Sequence, residues 1–145
     1  MASLCSAAVF GGSALELVGR VVDPNLQRGG IGSAMLRSTI EHRRPEYLTT
    51  YTRNPAILKM LLAQCSDVYP LHQDDNLKNI AARMPRATML DAAYHIHRYD
   101  EGGLFTGDDP AERPINGIPL QDRFVELTDI RNALVVAARV RKELL

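Results

Sequence analysis

Tryptophan is absent from this 145-residue chain, aromatic residues make up 6% of it, and cysteine occurs only as Cys5 and Cys65. Two cysteines exclude a disulfide scaffold and fit reduced thiols in a cytoplasmic setting. No apolar run approaches the roughly 18 residues of a membrane span. The apolar start, Met1 to Phe10, is short and lacks the basic opening of a signal peptide. A charge excess of one sign is missing too. Seventeen basic residues balance seventeen acidic ones, which argues against nucleic acid or an anionic membrane as partner. Internal repeats and low-complexity tracts do not occur. What remains is an ordinary globular composition, 46% apolar and 23% charged, long enough for one domain with a real core.

Charge is nevertheless uneven along the chain. Residues 20–53 hold six arginines (Arg20, Arg28, Arg37, Arg43, Arg44 and Arg53) against Asp23, Glu41 and Glu46, a local excess of three positive charges. Two readings fit this excess: a solvated basic surface, or a site for a small anion.

Hydrophobic patterning gives an order of elements. Ser3 to Phe10 and Ala14 to Val22 read as a hairpin joined at Gly11-Gly12. Asp23-Pro24-Asn25 breaks the second strand. Gly29 to Arg43 reads as a helix entered through glycines, with Ile31, Met35, Leu36 and Ile40 as its apolar positions and Pro45 beyond its end. Tyr47 to Thr52 is β-branched and aromatic, hence a strand. Asn54 caps a helix opened by Pro55, with Ile57, Leu58, Leu61, Leu62 and Cys65 on its apolar face. Asp67 to Leu71 reads as a strand. Asp74 or Asp75 caps a helix carrying Leu77, Ile80, Ala81 and Met84. Thr88 to His97 reads as a second helix in this stretch. Asp100 to Gln121, rich in glycine and proline, reads as a long lid or binding loop. Ala133 to Val140 is a continuous apolar run, read as a buried strand. The alternation defines an α/β fold: a single domain of residues 1–145, with a core at 14–71, a helical and loop insertion at 72–125 and a strand region at 126–145.

The most informative stretch runs from Val21 to Ala34: strand, break, then glycines opening a helix. Glycines let a backbone approach a ligand closely, and the first amides of a helix have no internal partners. With the helix dipole they make an anion site. A Walker loop needs Gly-Lys-Ser/Thr, and no lysine follows Gly32. A dinucleotide G-x-G-x-x-G pattern requires glycine where Met35 stands.

Gln27-Arg28-Gly29-Gly30-Ile31-Gly32 resembles the Q/R-x-x-G-x-G/A signature of the GCN5-related N-acetyltransferase (GNAT) superfamily. The preceding Val-Val-Asp-Pro, the later Thr52-Arg53-Asn54-Pro55-Ala56 and the order helix, strand, Asn-capped helix are also similar to that family. The resemblance covers residues 14–70 and, loosely, the terminal apolar strand. It implies a GNAT-like mixed sheet with flanking helices. It implies that the loop amides of Gln27, Arg28, Gly29, Gly30, Ile31, Gly32 and Ser33 bind the pyrophosphate of acetyl-CoA. It implies that Val21 and Val22, on a strand that splays from its neighbour, pair with the pantetheine arm, and that Asn54 contacts the cofactor or the amine. The activity implied is acetyl transfer to a small-molecule or peptide amine. The alternative is a degenerate or truncated CoA-binding module without turnover. Only about 20 residues precede the motif, fewer than the family has, so the expectation is that the N-terminal part of the fold is missing and that a homodimer completes the sheet.

Direct transfer needs a base for the amine and an acid for the leaving thiolate. The resemblance puts the base on the strand before the loop, at Glu16. The family's acid is a tyrosine in the helix after Asn54, but Ile57 to Leu62 holds none, and Tyr69 and Tyr51 are the nearest in sequence. His95-x-His97 does not share a face on a helix, so no metal is expected there. Cys5 and Cys65 read as small core residues. No Gly-x-Ser-x-Gly marks a serine nucleophile.

Overall fold

The computed structural model describes residues 9–10, 14–17, 31–90, 93–96, 112, 114–129 and 132–144. It is an α/β fold built on a mixed, seven-stranded sheet with helices packed against it. Strand β1 (Val9–Phe10) and β2 (Ala14–Glu16) pair antiparallel, with Val9 opposite Leu15, as the described part of the expected hairpin; its Gly11-Gly12 turn and the rest of its strands, apart from Leu17, lie outside the described residues. Helix α1 (Ile31–Arg43) returns the chain to β3 (Tyr47–Thr52), which lies parallel to β2. Arg44 ends α1 in the left-handed region at φ 49°, its amide donating to the Ile40 carbonyl at 2.7 Å, ahead of Pro45. Helix α2 (Pro55–Gln64) leads into β4 (Cys65–Tyr69), and α3 (Asp75–Ala82) follows with Asp74 as its cap.

Cys65, expected on the face of α2, opens β4, and Met84, expected on α3, lies beyond its end; two longer stretches differ further. Thr88–Leu90 and Ala93–Ile96, expected in a helix, are strands: β5 (Ala87–Leu90) and β6 (Ala93–Ile96) pair antiparallel. The reason is tertiary, because β6 supplies a partner for an otherwise open edge of the sheet's middle strand. Within the expected loop from Asp100 to Gln121, β7 (Pro114–Ile115) and β8 (Ile118–Pro119) make a small separate hairpin about Asn116-Gly117, and α4 (Leu120–Arg123) begins before the loop was expected to end. Asn116 and Gly117 both have positive φ, as a tight hairpin turn requires. A 3₁₀ turn at Val125–Thr128 leads to β9 (Ala133–Val140).

Strand β9 is the hub. One edge pairs along its length with β3, from Tyr47 opposite Arg139 to Thr52 opposite Leu134. The other edge pairs with β4 near its end and with β6 near its start. Its residues are buried throughout except Arg139, which explains the unbroken apolar run. On one face, Leu15, Leu17, Leu48, Leu134 and Val136 pack with Leu36 and Ile40 of α1, Leu58 and Leu61 of α2, and Ile115, Leu120 and Leu127. On the other, Tyr69, Val135 and Ala137 pack with Leu77 and Ala81 of α3.

Arg139 ties β9 to the α3 side. Its guanidinium donates to Asp74 at 2.9 Å and Asp67 at 3.0 Å and lies 5.9 Å from the centre of the Tyr47 ring. Asp74 also accepts the Leu77 amide at 3.1 Å. The Arg139 hydrogen bond and then the Leu77 amide hold its carboxyl below the usual carboxylate range. A carboxyl depressed in the folded state stabilises above its unfolded pKa, about 4, and loses that contribution as pH falls through and below it. The melting temperature is therefore expected to drop on acidification from about pH 5 to pH 2. Asp74→Asn keeps a good cap but loses the charge, so it should melt lower at neutral pH and show a flatter acid limb in melts followed by circular dichroism. An acid limb identical to the parent's would remove Asp74 from this account.

Candidate active site

The parallel pair β2–β3 is joined through α1, so a strand–helix–strand unit stands at the centre of the sequence match. In such a unit the crossover helix starts at the carboxyl end of the strands, where ligands of open α/β sheets bind. Asn54 and the start of α2 follow β3 directly and lie at that same end. Two helix N-termini, each with the partial positive charge of its dipole, therefore lie at the carboxyl edge of one parallel strand pair; at α2 the Ala56 amide donates to Asn54 Oδ1, the Ile57 amide to the Asn54 carbonyl at 3.1 Å, and Pro55 has no N–H. No acidic residue occupies the first turn of either helix.

Ile31, Gly32 and Ser33 form the first turn of α1, as a phosphate-binding helix start requires. Val21, Val22, Gln27, Arg28, Gly29 and Gly30 lie outside the described residues. Asn54 is half-buried in extended conformation. Its Oδ1 accepts the Ala56 amide at 3.0 Å and its own amide donates to Thr52 Oγ1 at 3.0 Å. Capping engages the carbonyl half of its side chain, so Nδ2 is the group it can present to a ligand.

Register decides how the candidate acid and base relate. Glu16 stands opposite Thr49, Thr49 opposite Ala137, and Ala137 opposite Tyr69, so the four share one row across one face of the sheet. Three inter-strand steps of about 4.8 Å separate Glu16 from Tyr69, roughly 14 Å between backbones. The structure does not bring these two around one reacting atom. Tyr69 is 1% exposed, and its hydroxyl accepts the Tyr94 amide at 3.3 Å. Burial pushes its phenol above the ordinary value, with the Tyr94 amide acting against that shift. Tyr51, two residues beyond Thr49 on the same face and toward the carboxyl edge, stands nearer to Glu16. Glu16 itself is half-buried.

Two residues of this region carry roles that no sequence signal gave. The hydroxyl of Thr50 donates to the Leu17 carbonyl at 2.9 Å, and the Leu17 amide donates to the Thr49 carbonyl at 2.7 Å. Arg53, counted above in the basic excess, is only 5% exposed. Its guanidinium donates to the carbonyls of Leu127 at 2.7 Å, Asn132 at 2.7 Å and Asp129 at 3.1 Å. It holds the segment entering β9 against the β3–α2 junction, so its charge is directed at the backbone and not at a ligand.

Among the described residues, no three His, Cys, Asp or Glu side chains are grouped to hold a metal. His95 lies on β6, not on a helix, and is buried with Nδ1 3.0 Å from the Ala93 carbonyl; His97 lies outside the described residues. Cys65 is a buried free thiol whose pKa is pushed up to about 12 by burial, which suits a core residue and not a nucleophile. Cys5 lies outside the described residues. No described helix is long and apolar enough to cross a membrane. No protein family model, no curated protein and no solved structure matches this chain.

Proposed function

We propose that this chain is an acetyltransferase-like domain that binds acetyl-CoA at the carboxyl edge of β2 and β3 and passes the acetyl group to an amine. One observation supports the reading above others. The chain's GNAT-like signature leads into the first turn of the helix that connects two parallel strands, and Asn54 caps a second helix beside it. In this reading the amides from Gln27 to Ser33 hold the pyrophosphate, Val21 and Val22 pair with the pantetheine arm, and Asn54 Nδ2 donates to the cofactor or the amine. Glu16 takes the proton from the attacking amine. Nitrogen then attacks the thioester carbonyl, the carbon–sulfur bond breaks, and the thiolate leaves with a proton from Tyr51 or from solvent.

A second reading is favoured by the 14 Å row between Glu16 and Tyr69. It is a CoA-binding module without turnover, because no described tyrosine stands in the helix after Asn54. Both readings share the ligand. Acetyl-CoA at about a hundred times its dissociation constant stabilises the native state by about 2.7 kcal/mol. For a domain of this size that is a rise of roughly 5–15 °C in melting temperature. No rise at millimolar acetyl-CoA would overturn both readings. Release of CoA thiol across a panel of amines separates them: amine-dependent release supports transfer, and its absence in a protein that binds supports the module.

A further inference from the structure

Thr49, in the middle of β3, is 1% exposed, and its Oγ1 has no hydrogen-bond partner among the described residues. A buried polar atom left unpaired works against folding, and native proteins keep few of them. Valine has nearly the same shape and suits a buried strand at least as well, so folding alone gives no reason for this hydroxyl. Its place in the sheet supplies one. Thr49 stands opposite Glu16 on β2 and opposite Ala137 on β9. Alanine offers no acceptor in its side chain. Glu16 is half-buried on the same face, one inter-strand spacing of about 4.8 Å away. Across that spacing a threonine hydroxyl and a glutamate carboxylate come within reach of each other by rotation about side-chain bonds.

We propose that Thr49 is a positioning residue for Glu16: its hydroxyl donates to the Glu16 carboxylate and so aims the other carboxylate oxygen at the attacking amine. The inference rests on the acetyl-transfer reading above, and it names the group that sets the base of that reaction. An ionised carboxylate only accepts hydrogen bonds, and Thr49 offers a donor on a short, stiff, β-branched side chain. A bond to an ionised oxygen is shorter and stronger than one between neutral groups. Donation from Thr49 occupies one oxygen of Glu16 and leaves the second to take the proton from the amine nitrogen. The nitrogen attacks the thioester carbonyl, and the carbon–sulfur bond breaks as described above. Thr49 exchanges no proton. Its hydroxyl is a cost to the fold that serves the reaction, the usual bargain between stability and activity.

The test measures thiol release from acetyl-CoA with a panel of primary amines and lysine peptides, the fastest of which is carried forward. The parent chain, Thr49→Val, Thr49→Ser, Glu16→Gln and the double variant are compared, and each is melted with and without acetyl-CoA. Thr49→Val is expected to lower kcat about tenfold, with KM for acetyl-CoA within about twofold of the parent. It is also expected to melt at or above the parent's temperature, because it removes an unpaired buried hydroxyl. Thr49→Ser is expected to keep kcat within about threefold of the parent. In the Glu16→Gln background Thr49→Val is expected to have no further effect, because the hydroxyl acts through that carboxylate. If Thr49→Val does not fold, Thr49→Ala removes the same hydroxyl and its activity is read the same way. Parent-like kcat without the hydroxyl overturns the positioning role, and so does an undiminished loss in the Glu16→Gln background. Loss of kcat together with weaker acetyl-CoA binding overturns it too, since the effect would then follow the sheet and not the base. A parent chain that binds acetyl-CoA but releases no thiol with any amine overturns the inference and leaves the CoA-binding module standing. A parent chain that binds no acetyl-CoA overturns both.

Discussion

Arg53→Met is expected to lower the unfolding free energy by about 3–5 kcal/mol and the melting temperature by roughly 10–20 °C. The methionine stem can follow the aliphatic part of arginine, but the carbonyls of Leu127, Asp129 and Asn132 would lose their shared donor. A buried acceptor that loses its donor costs about 1–3 kcal/mol; the Asp129 carbonyl keeps the Asn132 amide at 3.0 Å, so the cost falls chiefly at the Leu127 and Asn132 carbonyls. Arg53→Lys should recover only part of the loss, because an ammonium is a point donor while the guanidinium reaches three carbonyls as a planar fork. Arg37→Met is the matched control. Among the described residues Arg37 pairs with Glu41, one turn along α1, and both side chains are more than half exposed. Removing such a pair should change stability by less than about 0.5 kcal/mol. Equal melting temperatures for the two variants, measured by calorimetry, would show that the clamp contributes nothing.

The second large effect concerns the ligand. Gly30→Glu should abolish the acetyl-CoA-dependent rise in melting temperature while leaving the unliganded melt nearly unchanged. Gly30 lies outside the described residues, so the argument comes from the signature and from where α1 begins. A carboxylate placed among amides that are to receive a diphosphate adds bulk where a backbone must come close, and like charge where a positive end is needed. A hundredfold loss of affinity would reduce a stabilisation of about 2.7 kcal/mol to about 0.4 kcal/mol at the same ligand concentration. Undiminished stabilisation would move the pyrophosphate site elsewhere on the protein.

Local signals in the sequence were readable where the cause was itself local. Pro55 after Asn54 starts α2 because a missing N–H costs nothing in a first turn and the carboxamide caps it. Asp74 starts α3 for the same reason, and β-branched and aromatic residues make Tyr47–Thr52 a strand. The continuous apolar run of Ala133–Val140 gave a buried strand, though nothing in it says that this strand pairs with three others. The hairpin at Ala87–Ile96 was illegible for a related reason. Its alanines and leucine suit a helix in isolation, and the partner that makes it a sheet lies about 40 residues later, at Ala133 and Leu134.

The candidate site divides along the same line. The glycine signature and the Asn54-Pro55 cap are each carried by a short run of sequence; the structure describes Asn54 and, of the signature, Ile31 and Gly32. The row that separates Glu16 from Tyr69 follows from three strand registers, and no single segment contains that information. The partners of Arg53 lie 74 to 79 residues away, so its charge read as part of a basic surface. Thr50 looked like any strand-forming residue, because its acceptor belongs to another strand.

The place of β9 has a consequence for how the protein is made. As the ribosome extends the chain, β3, β4 and β6 all emerge before the strand that joins them. Tyr47 waits for Arg139 and Cys65 for Val140, so closure is a late, long-range event that cannot begin at the N-terminus and proceed along the chain. Until Val140 has cleared the exit tunnel, β3, β4 and β6 each present an edge of bare backbone to copies on the same message, and that interval is when these strands are most exposed to pairing with the wrong chain.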